Sequence, residues 1–182
     1  MAEPYENLVL YHGRPEDSRL PKEMAVYHLL DSLGVPYVRV DHEPMATMED
    51  CRAIDEILGI EICKNLFLCN RQETQFYLLM MPGSKRFQTK ALSAALGSSR
   101  LSFAPPARME ELLDLTPGSA SVMGLMNDTQ GRVKFLMDVE AAKPAYFGCH
   151  PCINTSSLKI ATADLFEKIL PAMHHDVTFV AL

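Results

Sequence analysis

Apolar positions along the chain change spacing in a regular way, and the changes mark out the elements. From Lys22 to Leu33, Ala25, Val26, Leu29, Leu30 and Leu33 recur at helical spacing. Pro21 suits the first turn of that helix and Gly34 its C-terminal cap. Tyr37 to Val40 alternate as a short strand, and Thr47 with Asp50 resembles a capping box opening a helix that closes at Gly59. Cys63–Cys69 and Gln75–Met81 are β-prone runs joined by the polar stretch Asn70–Thr74, a hairpin that belongs at the centre of a sheet. Helices are predicted over Thr89–Leu96, ended by Gly97, and over Pro106–Leu115, with a brief strand at Arg100–Phe103 between them. Further strands are predicted at Val133–Val139, Ala145–Phe147 and Ser156–Ile160, then a helix capped by Thr162 and a closing strand Val177–Leu182.

Strands outnumber helices and alternate with them irregularly. The pattern predicts a mixed α/β fold, a curved mixed β-sheet surrounded by helices, rather than a doubly wound one. With 182 residues and 48% hydrophobic content, one sizeable core is expected, so residues 21–182 are read as a single domain behind an N-terminal arm, 1–20.

Charge narrows the function classes. Seventeen Lys plus Arg against 23 Asp plus Glu give a net charge of −6, which argues against an electrostatic grip on duplex DNA or an anionic membrane. No segment is apolar for long enough to span a bilayer, and the first residues carry no secretory pattern, so a cytoplasmic protein is expected. Five cysteines, an odd and sparse set, fit reduced thiols. Neither a dinucleotide fingerprint nor a P-loop is present, and no cofactor is expected.

Three segments could carry chemistry. Lys64-Asn65 interrupts an otherwise apolar strand; a lysine there either snorkels from the strand's mouth or is placed to act. Thr116 to Leu125 is rich in small residues that let a ligand approach backbone N–H groups, or it is a plain turn. In Phe147 to Thr155, His150 sits beside a proline with Asn154 near enough to orient it, or is structural. Taken singly, each has an ordinary structural reading that outweighs chemistry. Cys149-x-x-Cys152 runs on into a strand and lacks a matching knuckle, so neither a redox pair nor a metal site is expected. His174-His175 is read as an exposed pair at a helix C-terminus.

Taken together, the three segments carry a resemblance. Cys63-Lys64-Asn65-Leu66-Phe67-Leu68, Pro117-Gly118-Ser119-Ala120-Ser121 and Gly148 to Leu158 resemble, in that order, the Lys-Asn strand, the Gly-Ser-x-Ser loop and the His-Pro, Asn-Thr segment of one superfamily. It comprises the YbaK proteins and the editing insertion domain of bacterial prolyl-tRNA synthetases, and the chain is most similar to freestanding prolyl-tRNA editing proteins of the PrdX type. One departure is Val122, where the family loop commonly continues to a proline, a difference that bears on substrate preference.

The resemblance implies a YbaK-like fold and hydrolysis of the ester joining a wrong amino acid, most plausibly alanine, to the 3′ end of tRNA for proline. The alternatives are a cysteinyl-tRNA deacylase of YbaK type and a non-catalytic aminoacyl-binding module. It implies that Lys64 anchors the ester or terminal nucleotide, that the N–H groups of Gly118, Ser119 and Ala120 hold the carbonyl oxygen, and that His150 is base or pocket wall. Substrate-binding residues would be Asn65, Met45, Leu66, Met80, Ser121, Met123, Gly148 and Asn154. Lys85, Arg86 and Lys90 form the best local positive cluster for tRNA, and the partners expected are an aminoacylated tRNA end and prolyl-tRNA synthetase.

Overall fold

In the computed structural model, which describes residues 7–45 and 48–182, nine strands divide between two sheets. Strands β1 (Leu10–His12), β2 (Tyr37–Asp41), β8 (Ser156–Ala161) and β7 (Tyr146–Cys149) form an antiparallel sheet in that order. The second sheet is mixed, in the order β5 (Ser102–Phe103), β3 (Cys63–Cys69), β4 (Phe76–Pro82), β6 (Val133–Asp138), β9 (Val177–Val180). The β3–β4 hairpin is antiparallel, with Lys64 opposite Met81, while β4–β6 and β6–β9 are parallel.

A parallel bridge between Ile62 and Gly148 joins the two sheets. That contact favours glycine: a Cβ on residue 148 would lie 2.8 Å from Ile60 Cδ1 and 3.2 Å from Ile62 Cα, so its neighbours would have to shift. The mixed α/β class predicted from the pattern is what the structure has. Its division into two sheets depends on which strands pair, and strand periodicity does not specify partners.

β4 is the central strand of its sheet, and Phe76 to Met81 are all buried. Alternation sends Phe76, Leu78 and Met80 into the main core and Tyr77, Leu79 and Met81 into a second one. The main core also receives Val26, Tyr27 and Leu30 from α1 (Pro21–Ser32) and Phe147, Leu158 and Ile160 from the antiparallel sheet. Leu92 of α3 (Thr89–Leu96) closes the second core, and Ile54 and Leu58 of α2 (Met48–Leu58) pack with Val40 in a third. Residues 1–6 and Thr47, the cap expected for α2, lie outside the described residues.

α4 (Pro106–Leu113) is followed by a 3-10 helix, Val122–Asn127, which periodicity does not reveal; Ser121 Oγ caps it by accepting from Met123 N at 3.1 Å. The last helix, α5 (residues 162–172), is π-helical over Leu165–Ile169, just before Pro171, which has no N–H to donate. Thr162 is its first residue rather than its cap, because the hydroxyl donates instead to Pro144 O at 2.7 Å. Nor is His175 exposed: it is buried, with Nε2 2.9 Å from Asp128 Oδ2 and Nδ1 donating to Met173 O at 2.7 Å.

Candidate active site

Where the two sheets meet, a cavity of about 610 Å³ opens, and it gathers residues from distant parts of the chain. Lys64 and Asn65 come from the first residues of β3, Gly118 and Ala120 from the loop after α4, His150 from the end of β7, and Met45 from the loop before α2. Cys51, Arg52 and Asp55 of α2, Glu61 to Cys63, and Gly83 with Ser84 complete the wall.

Each group has a definite chemical state. Lys64 donates from Nζ to the backbone oxygen of Lys85, its one hydrogen-bond partner among the described residues, out of the three N–H vectors an ammonium carries. Gly118 takes φ +90°, a conformation glycine accepts readily. The amide N–H groups of Gly118 and Ala120 meet no acceptor among the described residues, whereas that of Ser119 is spent on Thr116 O at 3.0 Å. Asn65 Oδ1 is buried with no hydrogen-bond partner among the described residues, an orphan acceptor beside the cavity.

Burial lowers the pKa of His150, so the ring is neutral. Its Nδ1–H donates to Ser156 O at 2.9 Å, and the lone pair therefore lies on Nε2. His42, with its ring centroid 6.2 Å away, repeats the arrangement: burial holds its pKa down, Nδ1–H donates to Glu43 O and Nε2 accepts from Ser157 Oγ, both at 2.8 Å. Burial also raises the Asp55 carboxyl, which accepts from Ile62 N at 2.9 Å, and pushes the Cys63 thiol up to about 12.

Of the residues singled out from sequence, Lys64, Asn65, Met45, Gly118, Ala120 and His150 converge on this cavity. Others lie elsewhere. Met80 and Met123 are fully buried in the main core, where apolar side chains of their size belong, and Leu66 packs on the second core across the sheet. Ser121 is consumed as a helix cap and by its bond to His150 O at 2.5 Å, so it supports the histidine's backbone. Gly148 is at the sheet junction. Ser119 and Asn154 line a neighbouring cleft of about 900 Å³ instead. Arg86 and Lys90 are exposed, but the ammonium of Lys85 pairs with Asp138 Oδ2 at 2.8 Å. Cys149 and Cys152 are buried, their thiols raised by burial.

Sequence reasoning missed Arg52, Asp55 and Glu61. A signal existed, since Cys51 and Asp55 stand four residues apart on an amphipathic helix, but the facing partner of that stripe is set only by the fold.

A lysine, two amides without an acceptor among the described residues and a neutral histidine thus line one cleft, which offers a ligand both hydrogen-bond donors and a lone pair. The chain belongs to the aminoacyl-tRNA editing domain family, whose model matches residues 42–168, and it is an aminoacyl-tRNA deacylase. It is 33% identical over 150 residues to the prolyl-tRNA editing protein ProX of Acetoanaerobium sticklandii, covering 82% of this chain and 91% of that one. It is 29% identical to the prolyl-tRNA synthetase associated domain-containing protein 1 of Xenopus laevis, covering 86% and 94%. The fold matches the crystal structure of a candidate trans-editing enzyme for prolyl-tRNA synthetase, with a TM-score of 0.65 at 16% identity over 91% of this chain and 99% of that one.

Proposed function

We propose that the protein removes a wrong amino acid from tRNA for proline, with the alanyl ester as its preferred substrate. The observation that carries this reading is the convergence of Lys64 with the free amides of Gly118 and Ala120 on one cavity. Those amides hold the ester carbonyl oxygen as it gains charge, and the Lys64 ammonium adds a positive charge near the 3′-terminal ribose. Asn65 Oδ1 accepts from the α-ammonium of the amino acid, which Asp55 and Glu61 also attract. His150 offers its Nε2 lone pair to the attacking water or to a ribose hydroxyl.

The choice of tRNA rests on the ProX and synthetase-associated relatives. The choice of alanine rests on need. A synthetase pocket shaped for proline gains only about 1 to 3 kcal/mol against a smaller amino acid, so a second pocket that admits the smaller one supplies the missing discrimination. Exposed Arg52 at the cavity wall, with Arg86 and Lys90 nearby in sequence to the Gly83–Ser84 turn, supplies local charge for the tRNA phosphates on an otherwise acidic chain. Association with prolyl-tRNA synthetase would add to that modest grip.

The test is deacylation of alanyl, cysteinyl, seryl and prolyl esters of one tRNA for proline. The alanyl ester is expected to be cleared fastest and the prolyl ester spared, with Lys64→Ala lowering the rate on the order of 100-fold, as for loss of a charge-stabilising donor. Near-parental activity in Lys64→Ala would refute the site. A preference for the cysteinyl ester would move the protein to the YbaK type, and tight binding with no hydrolysis would make it a binding module.

A further inference from the structure

Lys64 has to be aimed. It shares a face of β3 with Leu66 and Leu68, which pack into an apolar core, so its stem gives the ammonium no polar anchor on its own strand. The anchor is the carbonyl of Lys85. That carbonyl belongs to the turn after β4, closed by Lys85 N donating to Pro82 O at 3.1 Å.

Three contacts fix the turn. Gly83 presses so close to the residue before β3 that a Cβ would meet Ile62 O at 2.5 Å. Ser84 N donates to Glu61 Oε1 at 2.5 Å. Finally, the Lys85 side chain runs away from the cavity to Asp138 at the end of β6, Nζ to Oδ2, at 2.8 Å. Asp138 has no solvent exposure, and the contact is an ion pair rather than an aligned hydrogen bond, since Oδ2 has no hydrogen-bond partner; Oδ1 accepts from Glu140 N at 2.9 Å.

A fully buried carboxylate is costly unless paired, and Lys85 is the cation that pairs with it here. We propose that Asp138 and Lys85 are positioning residues: their ion pair, buried at its carboxylate end, locks the turn whose carbonyl holds the Lys64 ammonium facing the ester. This rests on the deacylase reading above. Lys85 therefore serves the reaction through its backbone oxygen, and its charge is spent on Asp138 rather than on tRNA.

The gentlest test is Asp138→Asn, which keeps an acceptor for Glu140 N and frees a lysine that is already a quarter exposed. Single-turnover deacylation should show a rate constant down about tenfold or more, with the half-saturating enzyme concentration changed less than twofold, because Arg52, Arg86 and Lys90, proposed to grip the tRNA phosphates, are untouched. Lys85→Arg, which keeps the charge, should retain activity within about threefold of the parent. If Asp138→Asn fails to fold, the neutral double variant Lys85→Met/Asp138→Asn is measured in its place, with thermal unfolding alongside. A folded variant with a parental rate constant would overturn the proposal, since a merely structural pair would lower the melting temperature alone. If Lys64→Ala is inactive and these variants are not impaired, only the positioning role fails. If Lys64→Ala is fully active, the deacylase site itself fails.

Discussion

Gly118 shows what one residue contributes to this site. At φ +90° an L-residue is strained, yet a Cβ there would meet nothing within 4 Å, so the cost of Gly118→Ala is backbone strain, about 1 to 3 kcal/mol, and not a clash. The loop can relieve that strain by rotating the neighbouring peptides, which carry the free amides. We expect the alanine variant to melt only a few degrees lower while deacylation of the alanyl ester falls at least tenfold. Unchanged turnover would remove the amides from the mechanism. Several such residues were legible in the sequence: Lys64-Asn65 breaks an apolar run, and Gly118 and His150 stand in segments of unusual composition. The lining methionines were not. Met80 and Met123 are indistinguishable from Met45 by residue type, and only the three-dimensional packing puts two of them in the core and one at the cavity.

Among elements, Asp128 ties three together. It follows the 3-10 helix, accepts from Arg132 N at 3.0 Å and Val133 N at 2.8 Å where β6 begins, and meets His175 just beyond α5 at 2.9 Å. Asp128→Ala would leave the buried N–H of Val133 and the Nε2 of His175 without their partner, while Nδ1 keeps Met173 O, at about 1 to 3 kcal/mol for each lost contact. For a chain of this length that is a fall in melting temperature on the order of 10 °C. The rate constant on the alanyl ester should stay within twofold, because none of the three elements contributes a side chain to the cavity through this contact; a large loss of rate without loss of stability would contradict it. The helices Thr89–Leu96 and Pro21–Ser32 and the strand Cys63–Cys69 emerge almost as their patterns predict, because capping residues and periodicity are local signals. The 3-10 helix and the buried His175 do not, since a single turn has too few residues for a period and the histidine's partner lies 47 residues away.

For the molecule as a whole, acid response follows from the two neutral histidines at the junction of the sheets. Burial lowers both pKa values, so below about 6.5, the unperturbed value, the unfolded chain binds protons that the folded chain refuses. Stability from these groups is thus complete above that pH and is lost as pH falls toward their depressed folded values. The urea midpoint should drop between pH 7.5 and 5.5, and His42→Gln/His150→Gln should flatten that slope. A slope unaltered by the double substitution would show that the protons are taken up elsewhere.

The bridge between Ile62 and Gly148 has a consequence for how such a protein can change over generations. Lys64 stands two residues after one side of that seam and His150 two residues after the other, so the gap between these two cavity residues is fixed by main chain touching main chain. Side chains that face the opening, such as Met45 and Cys51, can be exchanged without altering that gap. Selectivity for the amino acid is free to drift while the hydrolytic machinery keeps its dimensions.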